Sequence, residues 1–322
     1  MSGDDPIDFT LPVHGTAAGV AYIALPPTAV DAVASGPPHL IVAWPGFDPP
    51  RTAGALAAAV PMTGVPAWRV FLDLGQAPGG LGSGAILETE TIDAYCDAME
   101  RAVDRLPDTV AHLRHDLGVP DGPLGLAGFS AGASAALLAV ARGPMPIATA
   151  ALIAPVIAPS RAARAVETRA ARDRAWTDTA RARADRLDLS ALTDDIAARD
   201  TALLLIAGAK DRVVPPGEVT ALCDSLRKAG APAAESVTLR MGHALTPEPG
   251  TEPTPPITEA VRVDSVLTDW FRDRLASPPS EDVPPFQFNL PDPPAPAPAP
   301  TQNPAPLHPD ETLPRATAAH PH

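Results

Sequence analysis

Short apolar runs alternate with longer amphipathic stretches along most of this chain. The short runs are bounded by Gly, Pro or polar residues, which is typical of strands buried on both faces of a sheet. Strands are predicted at His39–Trp44, Ala67–Leu74, Pro123–Ala127, Ile147–Ala154, Thr201–Ala207 and Ala234–Leu239. Helices are predicted between them, at Thr52–Val60, Glu90–Leu117, Ala131–Val140, Gly217–Ala229 and Ile257–Leu275. This order predicts an α/β fold with a mostly parallel central sheet and helices on both faces.

Three details of the pattern carry further expectations. Ile7–Val13 and Gly19–Leu25 are predicted to form an antiparallel hairpin at the sheet edge, joined by a turn that contains His14. Pro107 lies inside the longest predicted helix, and the sequence does not decide whether the helix is broken at this residue. The Gly-rich segment Gly75–Gly84 is predicted to be a mobile wall of a pocket.

The most distinctive motif is Gly-x-Ser-x-Gly, which spans Gly128 to Gly132 between a predicted strand and an Ala-rich helix. A serine on such a turn takes a strained backbone conformation and presents its hydroxyl above the sheet, while the glycines avoid collisions with neighbouring elements. The backbone N–H of Ala131 falls at the helix N-terminus, where free donors favour a developing negative charge. Ser130 is therefore a candidate nucleophile.

An acid and a histidine follow at the ends of the two later strands. Asp211 lies just beyond Thr201–Ala207, and His243 lies just beyond Ala234–Leu239. Sites in open α/β sheets gather at these carboxyl ends. Acyl transfer by serine needs a base that takes the hydroxyl proton and an acid that orients the base. Other acids stay open for the second role, namely Asp48, Asp73, Asp194, Asp195 and Asp200.

These motifs, in this order, resemble the α/β-hydrolase superfamily, and its branch of dienelactone hydrolases and carboxylesterases in particular. The matching residues are Gly128-x-Ser130-x-Gly132, Gly208-x-x-Asp211-x-x-Val214-Pro215 and Gly242-His243. The resemblance implies that Ser130, Asp211 and His243 form a catalytic triad, in the chain order of that superfamily.

The resemblance also implies an oxyanion hole made of backbone N–H groups. One donor is Ala131, and the other is Phe47, which follows Gly46 in the turn after the strand His39–Trp44. Pro45 stands where the superfamily usually has a histidine, a departure that a backbone donor tolerates.

The predicted domain organisation is a catalytic domain over residues 1–275 and a tail over 276–322. Superfamily members with a lid carry it after the strand that Ile147–Ala154 matches, so we interpret 159–200 as a small helical cap. We interpret its many arginines as a solvated helix face, and the alternative is that some face the pocket and favour an anionic substrate. The tail is rich in Pro and Ala with few aliphatic residues, which predicts disorder with some polyproline II structure.

Charge and cysteine content narrow the function classes. The chain of 322 residues has a net charge of −14, so it has no electrostatic attraction to nucleic acid or to anionic membranes. Cys96 and Cys223 are expected to be buried free thiols. No signal peptide and no membrane span is visible, which favours a cytoplasmic location. We expect no cofactor, and no zinc-spaced His/Cys cluster indicates a metal.

The sequence therefore predicts a serine hydrolase that cleaves a small-molecule carboxylic ester through an acyl-enzyme intermediate. Three alternatives are a serine peptidase of the prolyl-oligopeptidase type without room for that family's propeller, an acyltransferase, and a non-catalytic binding module on the same fold. The Pro-rich tail leaves open a weak protein partner that recognises proline.

Overall fold

The structure is a computed structural model, and it describes residues 11–28, 39–75 and 79–275. The predicted tail over 276–322 and most of the predicted strand Ile7–Val13 lie outside the described residues. Within the described residues, one sheet of eight strands forms the centre of the molecule. The strands are β1 (Val13–Ala17), β2 (Val20–Leu25), β3 (His39–Trp44), β4 (Ala67–Leu72), β5 (Leu124–Phe129), β6 (Thr149–Ile153), β7 (Ala202–Gly208) and β8 (Ala234–Leu239).

The spatial order of the strands is β1-β2-β4-β3-β5-β6-β7-β8. β1 and β2 form an antiparallel hairpin, and β2 pairs with β4 in antiparallel orientation. The pairs from β4 through β8 are all parallel. The prediction of a mostly parallel sheet is therefore confirmed, and the carboxyl ends of β3, β5, β7 and β8 meet at one edge.

Helices cover both faces of this sheet. They are α1 (Ala53–Ala59), α2 (Thr89–Leu117), α3 (Ala131–Arg142), α4 (Pro159–Ala170), α5 (Asp178–Arg186), α6 (Thr193–Ala197), α7 (Pro216–Lys228) and α8 (Thr258–Leu275). Side chains of α2, α3 and α7 share one hydrophobic core with Leu40 and Val42 of β3. Side chains of α1 and α8 share the other with Ile41 and Ala43. Alternate residues of a single strand thus point into two cores, which explains why the strands are apolar throughout.

Three helices, α4, α5 and α6, are inserted between β6 and β7 and form the small helical cap. The second of them, α5, is joined to α2 by Arg183, whose guanidinium pairs with Asp93, Asp97 and Glu100. Between α4 and α5, the indole N–H of Trp176 donates to the carbonyl of Ile86 at 2.7 Å. The cap is therefore tied to the segment that precedes α2 as well as to α2 itself.

Two details of the sequence analysis were wrong or left open. The hairpin turns at Ala18 and Gly19, where both φ angles are positive at 48° and 78°, and His14 lies within β1 instead of in the turn. Two consecutive positive φ angles suit the twist of a two-residue hairpin, and Ala18 gives no local signal for one. The long helix α2 continues through Pro107. Its buried face, with Val103, Leu106 and Val110, offsets the lost hydrogen bond by packing against the core.

Candidate active site

The turn between β5 and α3 holds Ser130 in a strained conformation. Its φ of 51° and ψ of −115° lie in a region that residues with a side chain rarely adopt. The flanking glycines have no room for a side chain, because a Cβ at Gly128 would overlap the backbone of Gly132, and one at Gly132 would overlap the carbonyl oxygen of Trp44. The Ser130 N–H donates to the carbonyl of Ile153 at 2.8 Å. The turn is therefore held by contacts with β3, α3 and β6.

The loop after β7 presents Asp211. Its Oδ1 accepts hydrogen bonds from the N–H groups of Val213 at 2.8 Å and Val214 at 2.9 Å, so the carboxylate has a fixed orientation. The loop packs against the one after β8, because a Cβ at Gly208 would lie 2.8 Å from the carbonyl oxygen of Met241. The same carbonyl accepts from the Lys210 N–H at 2.9 Å. The two loops therefore have one fixed arrangement.

That arrangement brings Ser130, His243 and Asp211 together. The Oγ of Ser130 lies 2.8 Å from Nε2 of His243, and Nδ1 of His243 lies 2.7 Å from Oδ2 of Asp211. All three residues are buried, and Ser130 has no exposed surface. The imidazole can therefore accept the hydroxyl proton on one nitrogen while the carboxylate orients and stabilises it through the other.

A second carboxylate, that of Asp48, lies on the serine side of the imidazole. Its Oδ2 is 3.5 Å from Nε2 of His243. Asp48 follows Phe47 directly in the turn after β3, and it was among the acids left open by the sequence. The others are placed elsewhere: Asp73 accepts from the Ala53 N–H at 2.9 Å, Asp194 and Asp195 lie in α6, and Asp200 lies between α6 and β7.

These carboxylates change the proton affinity of His243. Burial alone lowers the pKa of the imidazole, but the hydrogen bonds and negative charges of Asp211 and Asp48 outweigh it and raise the pKa to about 9. For Asp48, burial raises the pKa, but His243 and the N–H groups of Gly82 and Leu81 outweigh it and hold the pKa below its usual range. An ionised Asp48 is therefore part of this site.

The turn after β3 lies directly against the serine. A Cβ on Gly46 would lie 2.8 Å from the ring of Phe129 and 3.0 Å from Cβ of Ser130. The ring of Phe47 is buried and packs edge-on against Tyr95, with the ring centroids 6.0 Å apart. Within the described residues, neither the Phe47 N–H nor the Ala131 N–H donates to a backbone carbonyl.

The helix α4 and the segment after β4 contact the loop that carries Asp211. Arg169 of α4 donates to the carbonyl oxygens of Arg212 at 2.7 Å and Gly82 at 2.9 Å, in the segments that follow β7 and β4. A Cβ on Gly82 would lie 3.0 Å from the side chain of Val213, so these two segments meet. In this structure the serine is covered.

Solved structures share this fold. TT1662 from Thermus thermophilus is 18% identical, with a TM-score of 0.53 over 81% of this chain and 98% of that one. The Pyrococcus furiosus esterase Pf2001 is 15% identical, with a TM-score of 0.50 over 86% of this chain and 98% of that one. The Pyrococcus horikoshii acylaminoacyl peptidase is 12% identical, with a TM-score of 0.54 over 83% of this chain, which spans only 42% of that one. No curated protein matches the sequence.

In its fold and its serine turn, the chain is similar to the serine hydrolases of the α/β-hydrolase superfamily. More particularly, residues 109–252 match the model of the prolyl oligopeptidase family. The match covers less than half of the chain and extends from α2 past His243. No helix among the described residues is long and apolar enough to cross a membrane.

Proposed function

We propose that this protein hydrolyses carboxylic esters of small molecules through an acyl-enzyme intermediate, with Ser130, His243 and Asp211 as the catalytic triad. The observation that carries the proposal is the continuous chain of contacts from Oγ of Ser130 through the imidazole to Asp211, at 2.8 and 2.7 Å. It stands on a strained strand-to-helix turn, which is the form a nucleophilic serine takes in this fold.

The mechanism has two similar halves. The Ser130 hydroxyl gives its proton to Nε2 of His243 as Oγ bonds to the ester carbonyl carbon, and the carbonyl electron pair moves onto oxygen. The N–H groups of Phe47 and Ala131 donate to that oxyanion. As the carbonyl re-forms, the bond to the alcohol oxygen breaks, its electron pair stays with that oxygen, and Nε2 returns the proton to it. Water then repeats these steps and releases the acid.

Support for an ester substrate comes from the extent of the structural similarities. Pf2001, named an esterase, is matched over 98% of its own length, whereas the acylaminoacyl peptidase is matched over 42%. The second candidate is amide hydrolysis, which is favoured by the match of residues 109–252 to the prolyl oligopeptidase family. The same triad serves both reactions, since only the leaving atom differs.

A fluorophosphonate probe tests the mechanism. Wild-type protein is expected to be labelled covalently, and Ser130→Ala is expected to lose the labelling while it keeps the fold. Ser134→Ala is a matched control, because Ser134 is a buried serine of the same helix whose hydroxyl hydrogen-bonds the carbonyls of Ser130 and Val156. Folded wild-type protein that resists the probe would contradict the proposal and favour a binding module.

The leaving atom is then identified with two matched substrate series. We expect p-nitrophenyl esters of increasing acyl length to be cleaved faster than the corresponding p-nitroanilides, beyond the difference in their intrinsic reactivity. Faster anilide cleavage after that correction would replace the ester proposal with the peptidase alternative. Transfer of the acyl group to an added alcohol in preference to water would identify an acyltransferase.

A further inference from the structure

One imidazole is shared by two buried carboxylates. Asp211 lies on Nδ1 of His243 at 2.7 Å, and Asp48 lies on the Nε2 side at 3.5 Å. With the imidazole protonated, these three groups carry a net charge of −1, and with the imidazole neutral they carry −2. The neutral imidazole is the form that takes the serine proton. In that form, the imidazole no longer offsets the charge of the two buried carboxylates.

The carboxylate of Asp48 is held in place by the backbone. It accepts from the N–H of Leu81 at 3.1 Å and from the N–H of Gly82 at 2.9 Å, and it is only 6% exposed. A Cβ on Gly80 would overlap its Oδ1. The side chain is therefore fixed with one oxygen directed at the imidazole.

Basic side chains near Asp48 are engaged elsewhere. Arg51 pairs with Glu248 at 3.1 Å, and Arg169 binds the carbonyls of Arg212 and Gly82. Among the described residues, no arginine or lysine forms an ion pair with Asp48. In this part of the chain its cationic partner is His243 alone, and that partner gives up its charge when it becomes the base.

We propose that Asp48 binds a positively charged group in the leaving part of the substrate, so that the preferred substrates are esters or amides whose departing alcohol or amine carries an ammonium group. The inference rests on the proposed function. Nε2 takes the Ser130 proton and hands it to the leaving atom, so the leaving group must lie beside Nε2. Asp48 lies on that side of the imidazole, within 3.5 Å of the same nitrogen.

A bound ammonium group has two effects at this position. It pairs with a carboxylate that has no other permanent cation, in surroundings where such an attraction is stronger than in water. It also offsets the charge through which Asp48 favours protonated His243, and so it makes the neutral imidazole easier to form. A cationic substrate thus favours the neutral His243 that takes the proton of the attacking Ser130.

Four arginines of the cap are paired with acids and do not reverse this charge preference. Arg161, Arg174 and Arg183 pair with Asp188, Glu167 and Asp97 respectively, and Arg172 pairs with Glu88. Their charges are therefore offset by nearby acids. The idea that cap arginines select an anionic substrate has less support than selection of a cation by Asp48, and both are tested together.

The test compares three esters that share one acyl group: a choline ester, its uncharged isostere the 3,3-dimethylbutyl ester, and the ester of 4-hydroxybutanoate. Hydrolysis is followed by proton release at constant pH. We expect wild-type kcat/KM for the choline ester to exceed that for the isostere by roughly 10- to 100-fold, and the anionic ester to be the slowest. Asp48→Asn is expected to remove most of that preference.

Three controls separate binding from structure. Asp48→Glu keeps the charge and is expected to keep a preference for the choline ester. Asp73→Asn makes the same change at a carboxylate that binds the Ala53 N–H instead, and it should leave the ratio unchanged. In Asp48→Asn, the acid limb of kcat/KM for the neutral isostere should move to lower pH, because a carboxylate that raises the pKa of His243 is gone. A purely structural Asp48 would not move this limb.

The outcomes distinguish the inference from the proposed function. Absent fluorophosphonate labelling would remove the serine mechanism itself. Labelled protein that hydrolyses the neutral isostere as fast as the choline ester, or that prefers the anionic ester, would overturn the role of Asp48 alone. A choline preference that survives in Asp48→Asn would also overturn it. If Asp48→Asn does not fold, the wild-type ratio and the Asp48→Glu ratio decide the question.

Discussion

The α-carbon of Gly132 lies against the carbonyl oxygen of Trp44, and no methyl group fits between them. Gly132 is in the first turn of α3, and Trp44 is the last residue of β3. This contact seats the start of the helix, with the Ala131 N–H, beside the turn that carries Gly46 and Phe47. The two proposed oxyanion donors therefore depend on one glycine for their closeness.

Gly132→Ala should accordingly be strongly destabilising. A Cβ would overlap the backbone carbonyl of Trp44, and backbone on both sides must move to accept it, so we expect a loss of about 3 kcal/mol in the free energy of unfolding. Urea denaturation measures it. Gly217→Ala is the matched control in α7, where nothing lies within 4 Å, and it should be neutral or slightly stabilising. Equal unfolding midpoints for the two variants would show that the β3–α3 contact is not tight.

The role of Asp211 is testable by an isosteric change. Asp211→Asn keeps the shape but removes the charge that stabilises the imidazolium of His243, so kcat for a p-nitrophenyl ester should fall by about 10³- to 10⁴-fold. Asp194→Asn, at an exposed acid of α6 also left open by the sequence, should leave kcat within about twofold. A small loss in Asp211→Asn would assign the orienting role to Asp48 instead.

The pH dependence of activity follows from His243. Its pKa is raised to about 9 by Asp211 and Asp48 against the opposing effect of burial, and only the neutral imidazole takes the serine proton. We therefore expect kcat/KM for an uncharged ester to rise about tenfold per pH unit between pH 6.5 and about 8.5, and to level off near pH 9. Initial rates with p-nitrophenyl acetate, corrected for its spontaneous hydrolysis, measure this profile. A rise in kcat/KM centred near pH 6.5 would mean that the two carboxylates do not raise the pKa of His243 in the free enzyme.

The contribution of His243 to the free energy of unfolding should fall as the pH rises over the same range. The folded-state pKa of His243 lies above its ordinary value of 6.5, so its contribution is fully present below pH 6.5 and is lost as the pH rises through about 9. The size of this contribution is about 3 kcal/mol for a shift of this order. The difference in unfolding free energy between wild type and His243→Gln should therefore shrink by that amount from pH 6 to pH 10. A constant difference would contradict the raised pKa.

Much of this fold could be predicted because its signals are local. A strand buried on both faces is a short apolar run, and the serine turn needs glycine at two fixed positions, so β3, β5, β7 and the turn at Ser130 follow from neighbouring residues. The hairpin turn at Ala18 could not be predicted, since alanine with a positive φ has no local signature.

The surroundings of the imidazole depend on contacts between distant residues. Asp48 was one of several open acids, and its direction towards His243 is fixed by the N–H groups of Leu81 and Gly82, which are far away in sequence. The hydrogen bonds from Arg169 of α4 to the carbonyls of Gly82 and Arg212 likewise join residues far apart in sequence. Sequence spacing predicted which residues could act together, whereas charge balance and access required the three-dimensional structure.

The cover itself gives the last prediction. Ser130 has no exposed surface, and Arg169 of α4 joins the carbonyls of Gly82 and Arg212, next to the residues that hold Asp48 and Asp211. A bulky reagent must therefore wait for the cap to open. Arg169→Gln removes two hydrogen bonds from a charged donor at an exposed position, each contributing on the order of 0.5–1 kcal/mol, and should raise the rate of fluorophosphonate labelling by about 5- to 30-fold.

Arg164→Gln is the matched control, because Arg164 is an exposed arginine of the same helix and its side chain makes no hydrogen bond to the loops around Ser130 among the described residues. Its labelling rate should equal that of wild type. The effect of Arg169→Gln should also grow with probe size, since a small probe needs a smaller opening. A rate that is unchanged for the largest probe would show that the guanidinium of Arg169 does not limit access, and that the serine is reached by a route that avoids α4.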